Sequence, residues 1–128
     1  GLIAAVPDND WSALDAREAG YARLHSGDAV IHPLGDGTSI AHYSVLPDER
    51  SATGNASIKL SYVDVVVQGF LREFGETGVE EFFATTDNWD TAILNDRAAP
   101  LYPRAQLLSD HETALVDHHL ARLSARVE

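Results

Sequence analysis

Between Ser61 and Gly75 the chain places Val63, Val66, Val67, Phe70, Leu71 and Phe74 on one side at a 3.6-residue period, and Asp64, Gln68, Arg72 and Glu73 on the other. Such a pattern needs an amphipathic helix with a core beneath it. Ser61 followed by Asp64 resembles a capping box with Asp in the Glu position, and Gly75 is placed to close the helix. A second short helix is expected around 77–86, with Val79, Phe82 and Phe83 inward. After an irregular stretch over 87–106, Ser109 and Glu112 form a better capping box and open a terminal helix to about Ser124.

The first third reads differently. Pro7, Asp8, Asn9 and Asp10 are turn and N-cap residues that should start a helix near Trp11, with Gly20 placed to stop it. Short strands follow at 21–25, 29–33 and 39–46, separated by the turn-like "SGD" and "LGDGT". Residues 47–57, "PDERSATGNAS", are polar and loop-like, and the likeliest mobile insertion. A helix, then strands, then helices predicts an α+β fold, with a small mostly antiparallel sheet or barrel flanked by helices. The 128 residues suffice for a single domain, 1–128.

Composition narrows the function. A net charge of −11 repels nucleic-acid phosphates and anionic membranes. No apolar run approaches the ~20 residues that cross a bilayer. Cysteine is absent, which removes disulfides, a thiolate nucleophile and Cys-based zinc sites and fits a reducing, cytoplasmic compartment. Methionine is absent too and the chain opens on Gly1, so a processed or truncated chain is expected.

One residue stands out. On a helical wheel Trp11, Leu14, Glu18 and Tyr21 share a stripe, so the Glu18 carboxylate falls on the face expected to pack. Burial disfavours its ionised form, as does the last helical turn, where the dipole is negative. Both push its pKa upward, toward the range useful for general acid–base work. The structural alternative is a carboxylate paired with Arg23 or another base, or reaching solvent at the rim.

The six histidines offer no comparable pattern. His111 and His118 are seven apart with no third ligand in sight, and His25, His32 and His42 fall on expected strands, so no metal site is assigned. Tyr21 and Tyr43 are candidate substrate-binding phenols, although aromatic packing explains each as well.

The segment "LDAREAGY", residues 14–21, resembles a motif of the γ-glutamylcyclotransferase family, and "IKLSYVDVVVQGFLREFGETGVEEFFATTDNWD" is similar to the helical region of its bacterial members. The likeness runs from about Gly1 to Leu123. It implies a small β-barrel flanked by helices, and a reaction in which the α-amine of a γ-glutamyl group attacks its own γ-amide carbonyl, closing 5-oxoproline and releasing an amine or amino acid. The family's catalytic glutamate falls on Glu18. No metal, nucleotide or redox cofactor is implied, and the partner is a small γ-glutamyl compound. The family's YGS- or YGT-like segment, whose main-chain N–H groups bind the glutamyl end, has no counterpart: "HYSV" at 42–45 lacks the glycine and lies elsewhere. The first strand and loop are therefore expected to be missing, the chain as written to be inactive or impaired, and an open sheet edge to invite association, including a homo-oligomer. Two rivals remain: a non-catalytic binding or interaction module on the same fold, with Glu18 receiving an amine, and an assembly protein using Tyr62 and Val65.

Overall fold

The computed structural model describes residues 2–35, 37–46 and 57–128. The fold is α+β, and the chain divides into two compact units, Gly1–Gly54 and Asn55–Glu128. The loop expected over 47–57 lies, except for Ser57, outside the described residues, as does Asp36 of the expected "LGDGT" turn.

In the first unit a 3-10 turn, Pro7–Asn9, leads into helix α1, Trp11–Arg17. Asp10 caps it as expected, its side chain accepting the Ala13 N–H at 3.0 Å. Glu18 is the C-cap, and Gly20 reverses the chain with φ +96°. Strand β1, Ala22–His25, pairs antiparallel with β2, Ala41–Ser44, in the register Ala22↔Ser44 to His25↔Ala41. The strand expected over 29–33 does not form. Gly27 takes φ +50°, its N–H donates to His25 Nδ1, and a second 3-10 turn occupies Gly27–Ala29. Pro33 brings no ladder donor. The chain leaves the ladder at Ser26, whose N–H reaches the Ile40 carbonyl at 2.8 Å.

In the second unit β3, Ile58–Lys59, runs straight into α2, Leu60–Thr85. The expected break falls at Gly75, with φ 68° and ψ −169°, and splits α2 into the two helical stretches read from the sequence. Strand β4, Ile93–Leu94, lies in the stretch expected to be irregular; it pairs parallel with β3 and is bridged on its other side by Val127. Helix α3, Asp110–Arg122, opens with the expected Ser109–Glu112 capping box. The described strands thus make two separate two-stranded sheets, one antiparallel and one parallel, and do not close a barrel.

Two expectations for the start of α2 are corrected. Ser61 is not its cap: it is a buried residue of the first turn, and its N–H and hydroxyl both donate to Asp96. Asp64 does not face solvent but is buried and gripped by Arg97. A carboxylate delivered from 35 residues away satisfies the helix terminus better than the short Asp of the local pattern.

The fully buried apolar residues, among them Leu60, Val63, Val67, Val79, Phe83 and Ile93, all belong to the second unit. At about 1.5–3 kcal/mol for each such side chain, that unit carries the hydrophobic stabilisation. Among the described residues of the first unit no apolar side chain is fully buried, and its apolar surface lines a cleft instead.

Candidate functional site

The first unit is organised around Asp15. Arg23 and Tyr43 face each other across the β1–β2 ladder, so their side chains leave the same face of the sheet. Both reach Asp15 on α1. Tyr43 Oη donates to Asp15 Oδ1 at 2.5 Å, and Arg23 Nη2 lies 3.3 Å from Asp15 Oδ2. The Arg23 guanidinium also sits 4.5 Å above the Trp11 ring, a cation–π contact, and the Trp11 indole N–H is held by Asn9 Oδ1 at 2.7 Å. These contacts dock α1 on the hairpin in one rotational setting. Leu14 and Glu18, three and seven residues after Trp11, are thereby turned into an open cleft of about 660 Å³, a size suited to a small molecule.

Trp11, Leu14, Ile40 and Leu34 give the cleft apolar walls, Glu18 and Tyr43 line it with Asn9, Thr38 and Ser39 as its polar residues, and residues 2–6 form another wall. The N–H groups of Leu2, Ile3, Ala4 and Ala5 donate to no acceptor among the described residues, so they are available main-chain donors along one side. The Glu18 side chain is 31% exposed and meets Arg17 Nε at 3.6 Å. The partner anticipated for it, Arg23, is engaged by Asp15 instead. Burial pushes the Tyr43 phenol above its ordinary value of 10.0; the hydrogen bond to Asp15 and the charges of Asp15 and Glu18 act the same way, against Arg23.

The structure therefore brings Glu18 and Tyr43 to one cleft. Tyr21 is half-exposed and lies outside the residues lining it. Asp15 went unnoticed in the sequence, because its role depends on the strand register that sets Arg23 opposite Tyr43. His42 is exposed, with Nδ1 3.0 Å from Ser26 Oγ. Among the described residues no group of three or more His, Asp or Glu side chains is arranged to hold a metal ion, and no helix is long and apolar enough to cross a membrane.

Set against known proteins, the chain matches no family model, no curated protein and no solved structure.

Proposed function

We propose that the chain is γ-glutamylcyclotransferase-like, converting a γ-glutamyl compound to 5-oxoproline and a free amine or amino acid, with Glu18 as the general acid/base. The observation that carries this reading is the position of Glu18 at the C-terminal end of α1, on a small-molecule-sized cleft with apolar walls. In the reaction the substrate α-amine attacks its own γ-carbonyl carbon, forming the ring C–N bond as the amine proton passes to Glu18. The tetrahedral intermediate then collapses, the amide C–N bond breaks, and Glu18 returns the proton to the leaving nitrogen. Nucleophile and electrophile belong to one molecule, so the cleft mainly has to fold the substrate into reactive geometry and limit water. The free N–H groups of the 2–5 segment would serve the developing oxyanion, and Tyr43, fixed by Asp15, would orient the substrate. On this reading β1 and β2 are two staves of the family's barrel.

A binding module is the second reading, and the 3.6 Å contact between Arg17 and Glu18 favours it. A carboxylate already facing one cation is arranged as an ammonium ligand would be.

The test is 5-oxoproline release from a panel of γ-glutamyl amino acids, γ-glutamyl amines and glutathione, by the protein and its Glu18→Gln variant. Release that falls at least about a hundredfold in the variant, the lower range for a general acid/base, supports the enzyme. Release unchanged by the substitution, or absent with every compound from the folded full-length protein, rejects it; saturable binding of those compounds without release would establish the second reading.

A further inference from the structure

The second unit holds a separate pocket of about 280 Å³, lined by Tyr62, Phe82 and Trp89 together with the buried Val63 and the exposed Asp87. We propose that it binds the alkylammonium group of a small organic cation, the three rings forming the walls and Asp87 supplying the counter-charge.

The rings are set without a ligand, because each is held by a neighbour outside the pocket. Tyr62 packs edge-on against Tyr102 at 5.1 Å between centroids. Phe82 is held by Phe70 at 5.0 Å. Trp89 lies 5.0 Å from Phe83, and its indole N–H reaches the Phe83 carbonyl at 3.3 Å. Phe82 and Trp89 stand nearly perpendicular, at 85°, and so present surfaces in two directions. Faces of aromatic rings carry negative potential and attract a cation whose hydration is weak, as an alkylated ammonium's is.

Asp87 argues for charge in the ligand. Its side chain is exposed and makes no hydrogen bond or ion pair among the described residues. A neutral apolar occupant would gain nothing from it, whereas a cation would be paired by it. The net charge of −11 further concentrates cations near the surface. The volume lies just below the usual range for ligand pockets, which favours a compact headgroup over an extended chain. None of these residues lines the Glu18 cleft, so this inference and the proposed reaction stand or fall separately.

The test uses choline and its uncharged isostere 3,3-dimethylbutan-1-ol, followed by the indole N–H resonance of Trp89 with that of Trp11 as an internal control. The expected result is a saturable shift of Trp89 alone with choline, and binding of the isostere about thirtyfold weaker, the factor that loss of a desolvated cation–π contact implies. Asp87→Asn and Tyr62→Ala, each checked for an unchanged fold by the same spectra, should each weaken choline severalfold. Equal affinity for the neutral isostere, no saturable shift at Trp89, or undiminished binding by both variants would overturn the proposal. Cosedimentation with phosphatidylcholine vesicles in the absence of any free-choline shift would also overturn it, by assigning the pocket to a membrane surface.

Discussion

Asp96 takes both donors of Ser61, the backbone N–H at 2.8 Å and the hydroxyl at 2.6 Å, and so closes the first turn of α2 from 35 residues away. The same carboxylate accepts the Leu101 N–H at 2.8 Å. The two Ser61 donors lie where Ser61 and Asp96 are both buried, so water cannot readily replace the carboxylate there. Asp96→Ala should destabilise the second unit by about 3 kcal/mol, since each stranded buried donor costs about 1–3 kcal/mol and relaxation recovers part. Urea unfolding followed by far-UV circular dichroism measures this.

That carboxylate also sets an acid limit. Burial raises the Asp96 pKa, but the hydrogen bonds from Ser61 and Leu101 outweigh it and hold the group below its ordinary 3.8. Glu112 is held low too, by the backbone and hydroxyl of Ser109. With both folded values depressed, the unfolded chain takes up protons first as pH falls. Their contribution is therefore present above the ordinary carboxylate range and is lost as pH drops through the folded values. The denaturation midpoint should fall more steeply below pH ~4 in the parent than in Asp96→Asn, and a parallel decline in the two would refute the assignment.

Gly75 and Gly78 set the shape of α2. Gly75 occupies φ 68°, ψ −169°, a conformation essentially reserved for glycine, and Gly75→Ala should cost about 1–3 kcal/mol. At Gly78 an added Cβ would stand 2.3 Å from Phe74 Cβ. Phe74 cannot swing away from that contact, because its Cβ is tied to the backbone. Gly78→Ala should therefore cost about as much as strong overpacking, at or above ~3 kcal/mol. Urea midpoints of the two variants check both values, and a neutral Gly78→Ala would show that the turn can open.

Much of this was legible in the sequence where the determinants are local. The apolar stripe of α2 from Val63 to Leu71, the break at Gly75 and the Ser109–Glu112 box all depend on residues a few positions apart, and the structure has them, although Phe74 at the end of the stripe is exposed. Of the expected stripe Trp11, Leu14, Glu18 and Tyr21, the first three are partly buried, whereas Tyr21, beyond the end of α1, is exposed. What could not be read depends on distant partners. Asp64 looked solvent-facing because its wheel position is polar, and only the fold delivers Arg97, with Nε and Nη2 at 2.8 and 2.7 Å from its carboxylate and Nη1 at 2.7 Å from Asp117. The strand expected at 29–33 failed for a local reason underweighted in the pattern: Gly27 and Pro33 interrupt its ends. Asp15 was invisible, since nothing in its neighbourhood announces that Arg23 and Tyr43 will face it together.

The Asp15–Tyr43 bond gives a spectroscopic prediction for the cleft. Tyr43 is one of 4 tyrosines, and its phenol is pushed above 10.0 by burial and by Asp15. Ultraviolet titration of the parent minus Tyr43→Phe isolates it, and should show a component titrating above the ordinary value. Asp15→Asn should bring that component down. A raised folded value means that the stabilisation is intact below pH ~10 and is lost as the pH rises through it. If Asp15→Asn leaves the titration in place, Asp15 does not position Tyr43.

His119 supplies the opposite sign at milder pH. Its ring lies flat on Phe83, 4.6 Å between centroids at 5°, and the residue is buried. Burial, then Arg122 and His118 on its own helix, lower its pKa from 6.5, while Glu80 and Glu76 on α2 pull the other way without prevailing. The folded ring therefore prefers to be neutral. In the unfolded chain it binds a proton near the ordinary value, so as pH falls below 6.5 the unfolded state is favoured. Stability should be level above that point, decline as pH falls toward the folded value, and level off again below it, before the carboxylates begin to titrate. His119→Phe keeps a flat ring against Phe83 and removes the titration, so its stability should be flat over the same interval. The decisive measurement is the urea midpoint from pH 7 to pH 5 for the two proteins: a parent as flat as the variant would mean that the imidazole reaches water and protonates in place.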